Sequence, residues 1–80
     1  MKVRVLYFAS YKELTGLSEE EVDLDEGSSV EQLVEALKNE HESLRGFTRI
    51  SVAVNNEFVR PEAVIRENDR VALFPPVSGG

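Results

Sequence analysis

The chemistry that this chain could perform is concentrated in its last residues. The sequence ends Phe74-Pro75-Pro76-Val77-Ser78-Gly79-Gly80, passing from a strand-like segment through two prolines to small side chains. The prolines favour an extended path, and the four residues after them reach roughly 13 Å at about 3.3 Å per residue. Glycine has no Cβ atom, so Gly79 and Gly80 fit a channel too narrow for a side chain. The segment therefore suits delivery of the Gly80 carboxylate into another protein, although two glycines alone are better explained as a frayed terminus.

The histidine and the acidic residues have simpler explanations than chemistry. His41 is the only histidine, and near a predicted helix end it suits a surface role beside the negative end of the helix dipole. It has no neighbours at metal-ligand spacing. The acidic segment at residues 19–25 lacks the alternating pattern and central glycine of a calcium loop, so we predict a solvated edge of the sheet rather than a metal site. Its members are Glu19, Glu20, Glu21, Asp23 and Asp25.

Nucleophilic side chains are equally scarce. The chain has no cysteine, so it has no thiolate nucleophile, disulfide or Cys-based zinc site. Ser10, Ser28 and Ser78 lack an accompanying His and Asp arrangement, and the first two are explained as helix caps. We therefore expect no side-chain catalysis and no bound cofactor.

Length and composition limit the class of protein. Eighty residues, 41% hydrophobic and 30% charged, predict one globular domain with a small core rather than a deep cleft. The formal net charge of −6 argues against nucleic acid as a partner. The apolar run from Val5 to Ala9 is far shorter than the roughly 20 residues of a membrane span, and no signal peptide is visible. We expect a cytoplasmic protein that uses neither membrane nor nucleic acid.

Two helices are predicted from capping signals and apolar spacing. Ser10 and Glu13 form a capping box for a short helix that Gly16 ends. Ser28 and Glu31 form a second box at the start of the main helix. Its apolar stripe recurs at i, i+3, i+4 and i+7 and consists of Val30, Leu33, Val34 and Leu37.

Alternating apolar residues predict strands over residues 2–8, 19–24, 50–54, 58–59 and 71–74. The pair Asn55-Asn56 marks a turn, and Pro61 and Pro75 end the strands before them because proline cannot donate to a β ladder. This order predicts an α+β domain in which one main helix crosses a mixed sheet, and the β-grasp is the simplest such fold. We place the domain at residues 1–76 and a flexible tail at 77–80.

The same alternation separates the two faces of the sheet. One face meets the helix stripe and forms the predicted core, made of Val3, Val5, Tyr7, Ile50, Val52, Val54, Val71 and Leu73. Leu6, Phe8 and Phe74 fall on the opposite face, where no second helix is available to cover them. We predict a protein interface there, although the segment from Leu44 to Phe47 could cover part of it.

Three segments resemble the small subunit of molybdopterin synthase, a ubiquitin-like sulfur carrier. They are Val5-Leu6-Tyr7-Phe8-Ala9, Ala53-Val54-Asn55, and Asp69-Arg70-Val71-Ala72-Leu73-Phe74-Pro75-Pro76-Val77-Ser78-Gly79-Gly80. The resemblance extends over the whole chain in length and element order. One departure is Asn68 before Asp69, where that family commonly has glycine.

The resemblance implies a role for Gly80 as a carried reactive group. An adenylyltransferase of the ubiquitin-activating type would use ATP and magnesium to adenylate Gly80, and a sulfur donor protein would convert it to a thiocarboxylate. The tail, Pro75, Pro76, Val77, Ser78 and Gly79, would enter the large synthase subunit, where sulfur passes to cyclic pyranopterin monophosphate. The chain would thus be the non-catalytic small subunit of a heterotetrameric enzyme. The implied partner contacts are Leu6, Phe8, Phe58 and Phe74, of which Phe58 rests on the resemblance alone.

Three alternatives remain open from the sequence. The chain could be a protein modifier conjugated through Gly80, as are some archaeal relatives. It could carry sulfur for thiamine or tRNA thiolation, although the Pro-Pro-Val-Ser stretch favours molybdopterin. It could also be an interaction module with an inert tail, in which case removal of Gly79 and Gly80 would leave its partner function intact.

Overall fold

The computed structural model describes residues 1–75, which form a five-stranded mixed sheet and two α-helices. The elements in chain order are β1 (Lys2–Tyr7), α1 (Ser10–Thr15), β2 (Glu19–Asp23), α2 (Val30–Glu40), a 3-10 turn (Glu42–Leu44), β3 (Ser51–Val54), β4 (Glu57–Phe58) and β5 (Arg70–Phe74). The strands lie in the order β2-β1-β5-β3-β4. β1 and β5 are parallel at the centre of the sheet, and the other pairs are antiparallel. This arrangement confirms the predicted α+β fold of the β-grasp type.

Part of the sequence-based prediction falls outside the described residues. Pro76, Val77, Ser78, Gly79 and Gly80 are not among them, and neither is the predicted domain boundary after residue 76. Within residues 1–75, neither helix combines the length and the apolar character needed to cross a membrane.

The core lies between α2 and one face of the sheet, as predicted. The predicted members that are buried are Val3, Val5, Tyr7, Val30, Leu33, Leu37, Val52, Val71 and Leu73. Val34, Ile50 and Val54 pack at its periphery and are half-buried. Three further buried residues were not part of the predicted core: Tyr11 of α1, Leu44 of the 3-10 turn and Ile65 of the segment before β5.

The face of the sheet that carries Leu6, Phe8 and Phe74, here named the open face, is not covered by the segment from Leu44 to Phe47. Leu44 is fully buried in the core, and Phe47 packs edge-on against Tyr11 with ring centroids 4.9 Å apart. This segment therefore closes the helix side of the core, because its two apolar side chains fill the space between α1 and α2. The opposite face of the sheet keeps its apolar residues accessible.

The capping box of α2 lies one residue later than predicted. Ser29 is the N-cap: its Oγ accepts from the Gln32 N–H at 3.2 Å, and Gln32 Oε1 accepts from the Ser29 N–H at 2.9 Å. Ser28 is buried instead, and its carbonyl accepts from the Ile65 N–H. That hydrogen bond ties Ser28 to a distant segment and the helix is capped by Ser29, so the prediction of a Ser28 and Glu31 box was wrong.

The start of α1 was also predicted wrongly. Ala9, not Ser10, occupies the N-cap position, and no side chain caps this helix. Ala9 has φ 51° and ψ −130°, a backbone conformation that residues with a Cβ atom seldom adopt. The predicted end is confirmed, because Gly16 is the left-handed C-cap and its N–H donates to the Lys12 carbonyl.

Candidate functional site

The open face of the sheet carries a shallow apolar depression. The pairing registers place four residues side by side across four strands: Leu6, Ala72, Ala53 and Phe58. Two alanines lie between two larger side chains, so the centre of this row is lower than its ends. The resulting depression, of about 300 Å³, is completed by Phe8, Asn56, Arg70 and Phe74.

Three phenylalanines border this depression. Phe8 and Phe74 stack with ring centroids 4.7 Å apart and an interplanar angle of 12°, and Phe58 lies 5.7 Å from Phe74. Phe58 is 73% exposed and Phe8 is 40% exposed, whereas Phe74 is half-buried between them. Large apolar side chains left this accessible, and grouped together, are typical of a protein-binding surface.

The structure brings together every residue predicted for this interface, namely Leu6, Phe8, Phe58 and Phe74. That these residues contact a partner stays a prediction. Phe58 could not be placed from the sequence alone because β4 has only two residues and shows no alternation. The available signal was the turn at Asn55-Asn56, since a two-residue hairpin loop pairs Ala53 with Phe58.

The depression lies beside the point where the chain leaves the sheet. Phe74 is the last residue of β5, and the half-buried Pro75 follows it. The Phe8 N–H donates to the Leu73 carbonyl at 3.3 Å, which fixes the end of β1 against the end of β5. The positive φ of Ala9 then turns the chain away from the sheet immediately after Phe8. The last described residues, Phe74 and Pro75, thus lie at the edge of the apolar surface.

A second cluster of polar residues lies on the opposite, helix side. Glu20 Oε2 accepts from the Tyr7 hydroxyl at 2.5 Å and lies 2.7 Å from His41 Nε2. Glu20 and His41 are mostly buried, with side-chain exposures of 22% and 16%. The predictions of a fully solvated acidic edge and of a surface histidine were therefore wrong for these two residues. The acidic residues were predicted as one solvated group. Glu19 and Glu21 are indeed exposed, but Glu20 lies between them in the strand and points to the other face.

This polar cluster has structural rather than catalytic features. Burial raises the pKa of Tyr7 far above its usual range, and the hydrogen bond to Glu20 raises it further. A phenol held in its protonated form donates a stable hydrogen bond but is a poor acid or base near neutral pH. Within residues 1–75, no group of three or more His, Asp or Glu side chains has an arrangement that could hold a metal ion.

Known proteins resemble this chain in sequence and in fold. Residues 5–80 match the ThiS family. A molybdopterin synthase sulfur carrier subunit from Chlamydomonas reinhardtii is 36% identical over 83 residues, which cover all of both chains. Among solved structures, one described as molybdopterin converting factor subunit 1 from Pyrococcus furiosus is 35% identical, with a TM-score of 0.90 over 96% of this chain and 99% of that one. SAMP1 from Haloferax volcanii is 31% identical, with a TM-score of 0.86 over the whole of both chains.

Proposed function

The chain belongs to the ThiS family, and from this membership we propose that it is the sulfur carrier subunit of a molybdopterin synthase. The observation that supports this most strongly is the 36% identity over its full length to a protein of that function. The apolar depression beside the end of β5 supports it independently, because a carrier must dock while it presents its terminus.

The proposed reactive group is the Gly80 carboxylate. A carboxylate is a poor electrophile, so it must first be activated. In the proposed first step, a ubiquitin-activating-type adenylyltransferase joins the Gly80 carboxylate to the AMP part of ATP, with magnesium as counterion, and pyrophosphate leaves. AMP is then a good leaving group for attack by a sulfur nucleophile.

The second step transfers sulfur to the chain. The terminal sulfur of a persulfide on a donor protein attacks the Gly80 acyl carbon, and AMP leaves. A thiol then cleaves the remaining sulfur–sulfur bond, which releases the donor as a disulfide and leaves a thiocarboxylate on Gly80. The chain needs no thiol of its own in this cycle, in agreement with its lack of cysteine.

The proposed acceptor partner is the large subunit of the synthase. We propose that it binds the open face through Leu6, Phe8, Phe58 and Phe74 and receives residues 75–80 in its active site. There the thiocarboxylate would give its sulfur to cyclic pyranopterin monophosphate. A heterotetramer of two small and two large subunits, acting in the cytoplasm, completes the proposal.

The carrier role is tested by measuring the mass of the intact protein chain. The purified chain is incubated with ATP, magnesium, its activating enzyme and a persulfide donor. We expect the mass increase that corresponds to exchange of one oxygen atom for sulfur, and we expect none in a chain that lacks Gly80. If the complete chain gains no sulfur from an enzyme that adenylates a known substrate, the carrier role is excluded.

A second candidate function is favoured by the similarity to SAMP1, whose whole length this chain matches at 31% identity. In this alternative, the activated Gly80 forms an isopeptide bond with a lysine of a target protein. Mass spectrometry of tryptic peptides from cells would then show lysines that carry the C-terminal residues of this chain. We expect no such adducts if the chain acts only as a sulfur carrier.

A further inference from the structure

One cation on the open face of the sheet has no acidic partner within residues 1–75. Lys2 Nζ lies 3.7 Å from Glu21, and Arg4 Nη1 lies 3.0 Å from Glu19. Arg70, paired in register with Arg4 on the neighbouring strand, forms no salt bridge with any described residue. Glu19 and Glu21 are thus already paired with other cations. Arg70 is exposed.

The backbone of Arg70 is firmly positioned. Its N–H donates to Asn55 Oδ1 at 3.0 Å, and its carbonyl accepts from the Asn55 N–H at 2.8 Å. The Asn55 side chain is itself oriented, because its Nδ2 donates to Asp69 Oδ1 at 3.0 Å. Arg70 also begins β5, which has a paired strand on each side. The side chain therefore projects from a fixed point on the sheet.

Arg70 lies at the border between apolar and polar surface. It lines the apolar depression together with Ala72 and Phe74, and it also lines a charged depression with Glu19 and Glu21. Arginine is well suited to such a border because its planar, weakly hydrated guanidinium can pair with a carboxylate while it lies against apolar groups. In a chain with a net charge of −6, Arg70 places a positive charge at the border of the apolar surface, opposite in sign to the charge of the whole molecule.

We propose that Arg70 is a specificity-determining residue of the open face, where it pairs with a carboxylate on the partner subunit that occupies the apolar depression. The partner surface is then an apolar side chain over Ala53 and Ala72 with an Asp or Glu beside it. This inference rests on the proposed function, since it names the charge that the large synthase subunit must present. A large subunit with a basic residue at that place would be rejected.

Binding of the full chain to its large synthase subunit tests this inference. The dissociation constant is measured by calorimetry for the unaltered chain and for the variants Arg70→Glu, Arg70→Gln and Arg70→Lys. Arg66→Glu is the matched control: Arg66 is also an exposed arginine without a salt bridge among the described residues, and it lines neither depression. Arg70→Glu and Arg66→Glu change the net charge of the chain by the same amount, so long-range electrostatics affects the two variants alike.

We expect Arg70→Glu to weaken binding at least about tenfold, and Arg66→Glu to change it less than about threefold. Arg70→Lys should retain most of the affinity, and raised salt should weaken the unaltered chain more than Arg70→Gln. Thermal unfolding verifies that each variant is folded. If Arg70→Glu does not fold, the affinities of Arg70→Gln and Arg70→Lys are compared instead. Equal affinities of these two variants would then overturn the inference.

Two further outcomes separate this inference from the proposed function. If Arg70→Glu and Arg66→Glu bind alike while the unaltered chain binds well, Arg70 has no selective role and the carrier function stands. If the unaltered chain does not bind the large subunit at all, this inference is overturned, while sulfur uptake measured by intact mass still decides whether the chain is a carrier.

Discussion

At the scale of single residues, Phe74 has the most important position on the open face. Its ring contacts both Phe8 and Phe58, and it is the last residue of β5. It therefore joins the apolar surface to the residues that lead towards Gly80. A side chain in the centre of an apolar group usually contributes more to binding than one at its margin.

We expect Phe74→Ala to weaken binding to the large synthase subunit by more than about 1 kcal/mol, which is about fivefold or more in the dissociation constant. The physical reason is the loss of a large apolar contact and of the support for Phe8. Val64→Ala is the matched control, because Val64 is 59% exposed but lies outside the depression. Equal affinities for the two variants, both folded, would rule out the open face as the binding surface.

At the scale of elements, two turns with positive φ angles hold β5 in place. Asn55 and Asn56 have φ angles of 50° and 73° and connect β3 to β4, as a tight two-residue hairpin requires. Asn68 has φ 68°, and its N–H donates to the Lys2 carbonyl just before β5 begins. Asparagine adopts this conformation more readily than most residues that carry a Cβ atom. This explains how Asn68 can stand where the related family commonly has glycine.

We expect Asn68→Gly to leave the free energy of unfolding nearly unchanged, and Asn68→Val to lower it by about 1–2 kcal/mol. Valine is β-branched and is strongly disfavoured at positive φ. Glu62→Val serves as the control at an exposed turn residue that does not have a positive φ. Urea unfolding measures all three variants, and a cost at Glu62 as large as that at Asn68 would contradict the backbone explanation.

At the scale of the whole molecule, the two buried tyrosines differ in their hydrogen bonding. Tyr7 of β1 donates to Glu20 of β2, which also pairs with His41 at the end of α2, so one carboxylate joins three elements. The Tyr11 hydroxyl is buried without a hydrogen-bond partner among the described residues. The pKa values of both tyrosines are raised, for Tyr11 by burial and for Tyr7 by burial and then by Glu20.

These raised pKa values predict loss of stability at alkaline pH. The folded state favours the protonated phenols, so their contribution is complete below the ordinary tyrosine value near 10 and declines as the pH rises above it. We therefore expect the free energy of unfolding to fall above about pH 10, and to fall less steeply in Tyr7→Phe. Chemical unfolding between neutral pH and pH 11 measures the slope. An unchanged slope in Tyr7→Phe would show that Tyr7 titrates normally.

The difference in hydrogen bonding between the two tyrosines is tested by the free energy of unfolding of Tyr7→Phe and Tyr11→Phe at neutral pH. Tyr7→Phe should lower the free energy of unfolding by about 1.5–3 kcal/mol, because it removes a hydrogen bond to a charged group. Tyr11→Phe should leave stability unchanged or raise it by about 1 kcal/mol, because it removes a buried hydroxyl that has no partner. Similar losses in the two variants would contradict this difference in hydrogen bonding.

The sequence by itself determined the elements of this protein and the two faces of its sheet. Period-two alternation placed Val5 in the core and Phe8 on the open face, and the apolar stripe identified α2, because these patterns depend only on residues a few positions apart. Such local signals suffice for the fold class and for most of the core.

Only the tertiary structure decided how distant segments meet. The position of the α2 cap depended on the pairing of Ser28 with Ile65, and the burial of Glu20 depended on His41, 21 residues further along the chain. The depression exists because Ala53 and Ala72 of different strands fall in register between Leu6 and Phe58. None of these contacts leaves a signal in the apolar spacing of either segment. Each contact stabilises the protein only after the sheet has assembled and brought the two segments together.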